Sequence, residues 1–463
     1  MAYNSNYVSI SRKDSVAEDR WIKAESKQKF RSPFAKDRDR ILYSRSFLRL
    51  RGKTQVFMSQ NFDYLRTRLT HTLEVGQIAK TVASALGLNM ELVEAIALGH
   101  DVGHTPFGHV GERTLDNILN ECEKTAANID SDKRGFKHNL QSLRLLCELE
   151  QGATNNDYEG LNLTLFTLWG IVYHTSVIHK PCDKCGDKCK AVHKHISCKR
   201  AGKDLPNYSF YSEYLNRIAK YWSFEGFVVK QADEIAQRHH DIEDSIRMGI
   251  LKKEDLVSNM EKLLDGVKLS NEDKTNLANL KKNYNVHDDL FIALFSRFIV
   301  NFYVVNLIKQ AKVNIKELEK KYKIRSHADY IKIKDTITDA DYSEIIVFSD
   351  DVKKFDKAFQ HYLITNILSS YQAQAMDGKG EYIIRRLFDA YVSNPAQLPD
   401  HVIMQFYRDL KLTKKTVAEE RNEIMNHFLG NESAMARCIA DYIGGMTDTY
   451  AYEQYDKLYG TRV

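Results

Sequence analysis

The sixteen residues Ala97–Glu112, ALGHDVGHTPFGHVGE, hold three of the chain's 16 histidines, with Asp101 beside the first and Glu112 three residues after the last. Histidine can both bind a metal ion and move protons near neutral pH. The segment also dictates local structure. Met90–Gly99 reads as an apolar helix that ends in His100–Asp101. Gly103 and Thr105–Pro106 then break it, so His104 falls in a loop. His109 and Glu112 follow at i, i+3, a spacing that shares one helical face. Any fold for this chain has to bring a helix end, a loop and a new helix start to one place.

The remainder is written mostly in helical period. Tyr64–Leu86 carries apolar residues at Leu69, Leu73, Val75, Ile78, Val82 and Leu86, with Arg68 and His71 on neighbouring turns and Gly87 as its stop. Gln231–Ile246 is a charged helix with regular Ala232, Ile235, Ala236, Ile242 and Ile246. Leu290–Leu307 is an apolar, aromatic core helix among Lys- and Glu-rich amphipathic ones. Only 6 of 463 residues are proline, which favours helices over a loop-rich or all-β fold. Strand signals reduce to short pieces such as Gly170–Tyr173. The expected fold class is mainly α: a helical core with further helical regions and a small Cys/His-rich insertion. The expected division is 1–30 a loose N-terminal arm, 31–250 the catalytic core, 251–345 a helical insertion, and 346–463 a C-terminal helical region packed on the core.

Several classes are set aside. No apolar run approaches the roughly 18–20 residues that span a bilayer, and the N-terminus has no apolar core, so a cytoplasmic location without a membrane partner is expected. The 67 Lys and Arg against 62 Asp and Glu leave +5, too little over this length to demand nucleic acid. Gly52–Thr54 spells GKT, but a phosphate-binding P-loop needs a glycine at position 47, which is Phe. Four of seven cysteines (Cys182, Cys185, Cys189, Cys198) fall within 17 residues beside His193 and His195. Thiolates and imidazoles at this density suit a structural zinc ion. The six lysines of residues 180–200 make single-stranded nucleic acid a weaker candidate partner.

His71, His100, Asp101 and Asp233 offer two imidazoles and two carboxylates, a set suited to a divalent first-row ion such as Mn or, less well, to Mg. Arg68, one turn from His71, is placed for a phosphate, which guanidinium binds bidentately. At this point the residues carry a resemblance. DRDRILYS (Asp37–Ser44), KTQVF, RTRLTHTLEVGQIA, ALGHDVGHTPFGHVGE, ADEIAQRHHDIED, GKGEYIIRRLFDAY and DYIGGMTDTYA resemble the dGTPase-like triphosphohydrolases, a family of HD-domain phosphohydrolases. The resemblance implies hydrolysis of a dNTP, dGTP first, to deoxynucleoside and inorganic triphosphate. It implies His71, His100, Asp101 and Asp233 as metal ligands, and His109 and Glu112 as an acid–base pair beside the α-phosphate with His104 close by. Gln55 matches a contact to the sugar and base, Asp241 a contact to the 3′-hydroxyl, and Asn139 and Gln141 polar residues near the phosphates. Gln237 stands where relatives often carry a tyrosine under the sugar. A homo-oligomer, hexamer or tetramer, and a nucleotide effector are further implied. The alternatives are another HD-type nucleotide phosphomonoesterase or phosphodiesterase, and a nucleic-acid-binding protein using the insertion and the Arg-rich 38–53 stretch.

Overall fold

Asn89 shows how the central helices are set. Its side chain accepts from the backbone N–H groups of Glu91 and Leu92, and so starts Met90–Gly99 immediately after Gly87 (φ 69°) has ended Arg68–Leu86. The first device satisfies helix-end donors and the second is the left-handed stop that glycine makes without strain. The computed structural model describes residues 19–23, 25, 30–55, 66–120, 129–150, 160–177, 208–412 and 417–460. Among them the helices are α1 (Pro33–Leu42), α2 (Arg45–Arg49), α3 (Arg68–Leu86), α4 (Met90–Gly99), α5 (Gly108–Leu119), α6 (His138–Arg144), α7 (Leu165–Tyr173), α8 (Ser212–Ile218) and α9 (Phe224–Arg247). They continue with α10 (Lys253–Leu263), α11 (Asn271–Lys282), α12 (Asp288–Lys321), α13 (His327–Ile333), α14 (Asp339–Tyr342), α15 (Asp350–Leu363), α16 (Tyr371–Ser393), α17 (Asp400–Asp409), α18 (Val417–Phe428), α19 (Glu432–Gly444) and α20 (Asp448–Tyr459). The described residues form no sheet, only two isolated bridges, Arg20 with Thr164 and Thr54 with Thr67. The mainly α class is what the structure shows.

Two apolar cores organise these helices. The first gathers α1, α3, α4, α7, α9, α12 and α15, with Val75, Ile96, Ile171, Ile235 and Phe298 among its buried residues. The second gathers α5, α16, α17, α19 and α20 through Phe107, Leu115, Ile384, Phe406 and Ile439. Helix α5 is therefore the element by which the opening stretch joins the C-terminal region.

Three expectations change. Gly170–Tyr173 is not strand but the end of α7, a helix buried almost all round (Leu165–Val172). An apolar run without a polar face carries no period to tell the two apart. Residues 19–23 are not loose: Arg20 donates to Asp37 at 2.8 Å and to the Asn162 carbonyl at 2.8 Å, and Trp21 stacks on Tyr214. Helix α12 is, by length and composition, long and apolar enough to cross a membrane, because isolated polar residues such as Ser296 and Arg297 scarcely dilute its apolar run. Here it serves as a core helix, with Phe291, Phe295, Phe298 and Phe302 buried in the first core. Cys182, Cys185, Cys189 and Cys198 lie outside the described residues.

Candidate active site

The metal half is assembled by helices of the first core. His71 sits in the first turn of α3, His100 caps the end of α4 with Asp101 next to it, and Asp233 lies midway along α9. His71 Nε2 is 2.9 Å from Asp233 Oδ1. His100 Nε2 is 3.7 Å from the same oxygen and 3.4 Å from Asp101 Oδ1. Ligand atoms of His71, His100 and Asp233 all fall within 4.8 Å of one another. His100 Nδ1 donates to the Ala97 carbonyl at 2.7 Å, which leaves its lone pair on Nε2, and that atom is buried without a hydrogen-bond partner. A buried bare imidazole nitrogen beside two carboxylates is the chemistry of a cation site. Both carboxylates stay charged. Burial would raise Asp101, but His100, His104 and Arg68 outweigh it and hold the carboxyl well below its ordinary range. Asp233 is lowered in the same way, by His71 and His100 against its burial. These residues fit a divalent ion.

Arg68 closes this half. Its Nη1 donates to Asp101 Oδ2 at 2.7 Å, while Nε and Nη2 are buried with no partner. Burying unpaired donors of a guanidinium costs free energy unless an anion completes them. Its side chain is 2% exposed, so this is not a surface ion pair.

The proton-handling half comes from the loop and the helix that follow. Gly103 packs so closely on α6 that a Cβ there would stand 2.2 Å from the His138 carbonyl and the Ser142 nitrogen. Ser142 straps the same contact, accepting from Gly103 N–H at 2.9 Å. That glycine is a close-packing point as well as a helix break. Phe107 and Gly108 both take φ 61°, and the chain turns there into α5. His104 Nε2 lies 3.2 Å from Asp101 Oδ1, and its ring stacks on His138 with centroids 3.9 Å apart. Glu112 bonds to His138, not to His109: its Oε2 accepts from His138 Nδ1 at 2.5 Å and from the His138 backbone N–H at 3.1 Å. Sharing a helix face brought Glu112 near His109, but α6 presents two donors aimed at its oxygen. Against its burial, His138 and His109 hold the Glu112 carboxyl far below the usual range. His109 is exposed, yet the protein around it desolvates the ring and it falls to about 4, Arg68 and His138 adding like charge. His104 is lowered too, by burial first and then by Arg68 and His138.

The remaining expected residues separate. Gln55 has a buried Oε1 without a partner, and Asn139 donates to the Val172 carbonyl at 2.6 Å while its Oδ1 is left unbonded. Both could meet a donor from outside. Gln141 is already engaged at both ends: its amide donates to Asp441 at 2.8 Å and its carbonyl accepts from the Tyr211 hydroxyl at 2.9 Å. Gln237 and Asp241 are half-buried on α9. Burial lifts Asp241 to about 7, with Arg238 opposing. In the Arg-rich 38–53 stretch, Arg38 pairs with Asp39 and Arg40 with Glu25, each at 2.8 Å.

Sequence reasoning passed over His138 and His174, whose Nε2 atoms meet at 3.4 Å. It also passed over Lys53, whose buried ammonium donates to the carbonyls of His104 and Gly444. His138 directly precedes Asn139, and no carboxylate adjoins it in the chain to mark it.

Comparison with known proteins agrees with this geometry. The family profile described as HD domain matches residues 68–151, and the one described as phosphohydrolase-associated domain matches 346–422 and 402–457. A deoxyguanosinetriphosphate triphosphohydrolase-like protein of Brucella suis is 32% identical over 439 residues, 94% of this chain and 91% of its own length. Proteins of the same description from Bartonella quintana (33%, 94% of this chain and 91% of its own) and Roseobacter denitrificans (31%, 94% and 92%) are similar over comparable spans.

Proposed function

The chain belongs to the dGTPase-like family of HD-domain phosphohydrolases, and from that premise we propose that it hydrolyses dNTPs, dGTP among them, to deoxynucleoside and inorganic triphosphate. The observation that carries the reading is Arg68: two buried, unpartnered guanidinium nitrogens on a side chain whose third nitrogen donates to Asp101. A phosphate of the substrate would satisfy them bidentately. A divalent ion held by His71, His100, Asp101 and Asp233 would supply charge neutralisation for the polyphosphate.

In this reaction the oxygen of water bonds to the α-phosphorus, the bond from that phosphorus to the 5′-oxygen breaks, and a proton reaches the leaving oxygen. Of His104, His109, Glu112 and His138, His109 is the one that is exposed, so it is the group that would exchange that proton. His104 and the Glu112–His138 pair hold the surroundings fixed. Gln55 Oε1 and Asn139 Oδ1 would accept from sugar, base or water.

The test is incubation with each dNTP and Mn(II) or Mg(II), with products separated by ion exchange. Triphosphate and deoxynucleoside in equal amounts are expected. Pyrophosphate with monophosphate, or stepwise phosphate release, would assign the chain to another HD chemistry. We propose further that a nucleotide effector would bind in a separate cavity of about 950 Å3, lined by Arg45, Arg49, His401, Arg408, Tyr442 and Tyr450. Guanidinium groups with aromatic faces suit a phosphorylated base. Nucleotide binding that survives loss of the Asp233 carboxylate and disappears in Arg49→Ala would support it.

A further inference from the structure

Behind the metal half stand two residues that the proposed function leaves idle, Glu74 of α3 and His240 of α9. His240 is fully buried. Its Nε2 lies 2.6 Å from Glu74 Oε2, and its Nδ1 lies 3.1 Å from Nδ1 of His71. A carboxylate oxygen only accepts, so Nε2 of His240 carries the hydrogen given to Glu74. Nδ1 of the same neutral ring is then an acceptor, and Nδ1–H of His71 donates to it. The lone pair of His71 is thereby left on Nε2, the atom that faces Asp233 at 2.9 Å.

We infer that Glu74 and His240 are positioning residues that fix the tautomer and ring angle of His71 for the cation. The inference rests on the functional reading above for the presence of that ion. The need for such a pair follows from where His71 sits. His100 and His174 each follow the last turn of a helix, and each donates Nδ1–H to the carbonyl three residues back, at 2.7 and 2.6 Å. Carbonyls at a helix C-terminus have no intrahelical donor and are free to accept. His71 is in the first turn of α3, where the carbonyls are taken up by the helix itself. An acceptor has to come from another element, and α9 supplies it. Arg66 steadies the far end, donating to Glu74 and, at 2.5 Å, to Glu243 of α9. The neighbouring His239 has Nε2 2.6 Å from the Ser296 hydroxyl and turns Nδ1 towards the same Glu74 Oε2, at 3.7 Å, but it does not reach His71.

The experiment is titration of the full-length chain with Mn(II), reading free ion by its electron paramagnetic resonance signal, for wild type, His240→Leu, His240→Gln and Glu74→Ala. Removing a partner that orients a ligand histidine costs about 10- to 100-fold in metal affinity. His240→Leu is expected at the upper end of that range. His240→Gln, whose Oε1 can accept from His71 while its amide donates to Glu74, is expected within about threefold of wild type. Glu74→Ala, at a half-exposed position, is expected to lose about tenfold, and it decides the matter if His240→Leu does not fold. Wild-type affinity in His240→Leu, or equal loss in the Leu and Gln variants, would overturn the inference. Wild-type protein that binds Mn(II) but releases no triphosphate would sink the functional reading alone. Wild-type protein that binds no Mn(II) would sink both.

Discussion

The two halves of the site are built on different cores. His71, His100, Asp101 and Asp233 come from α3, α4 and α9, whose apolar faces interlock in the first core. His109 and Glu112 come from α5, whose apolar face packs in the second, against α16 and α19. The metal half thus takes its geometry from helix-on-helix packing, which is dense and resists displacement. The proton-handling half adds to its packing hydrogen bonds that reach it across the chain. Asp448, at the start of α20, accepts from the backbone N–H of Thr54 at 2.8 Å and of Phe107 at 2.9 Å, and Lys53 joins the His104 and Gly444 carbonyls. One half is set by shape alone, the other by shape and a few long-range polar ties. That difference predicts that the halves can be broken separately.

The largest break is in the metal half. Asp233→Ala is expected to abolish tight Mn(II) binding and to lower kcat by about a thousandfold, since metal-derived charge stabilisation amounts to several kcal/mol. The second core, which Asp233 does not touch, should keep its unfolding midpoint. His109→Ala is expected to lower kcat by about a hundredfold or more, the usual worth of a positioned proton carrier, with Mn(II) affinity unchanged. Loss of metal in the His109 variant would show that the halves are one unit.

The comparison also explains what the sequence could and could not convey. His71, His100, Asp101 and Asp233 were legible because each stands in a motif with a carboxylate or helix signal beside it, and the structure brings all four together. The gathering of α5 with the C-terminal helices was not, since the contact of Gly380 with Phe107 joins positions 273 residues apart by shape alone. His138 and His240 were hidden for a related reason: what makes them functional candidates is the partner on another helix. Gln141 shows the opposite case. The resemblance implied a place near the phosphates, while Asp441, which only the tertiary fold brings near, accepts from its amide.

The ties between the halves should give smaller effects. Asp448→Ala leaves the N–H groups of Thr54 and Phe107 without an acceptor. Each buried unpartnered donor costs about 1–3 kcal/mol, so a stability loss of roughly 3 kcal/mol in urea unfolding is expected. With the loop loosened, kcat should fall about tenfold while Mn(II) affinity stays put. A variant that loses Mn(II) instead would place Asp448 in the metal half.

Lys53 gives the subtlest test, through pH. Burial, with Arg49 and Arg68 adding like charge, pushes its ammonium down to about 7, against an ordinary lysine near 10.4. Below pH 7 the group is charged in both states, and the folded protein carries the full cost of burying it. Between 7 and about 10 the folded form releases its proton while the unfolded chain keeps one. The unfolded state then binds more protons, so this group makes stability rise with pH. Relative to Lys53→Met, wild type should gain about 2 kcal/mol between pH 7 and 9, read from urea unfolding at the two values. Parallel pH dependence in both proteins would mean that water reaches Lys53, and that the junction between the two cores is wetter than its packing indicates. A wild-type gain of the expected size would instead mark the tie between His104 and Gly444 as dry, and the proton-handling half as held from the C-terminal region by a desolvated amine.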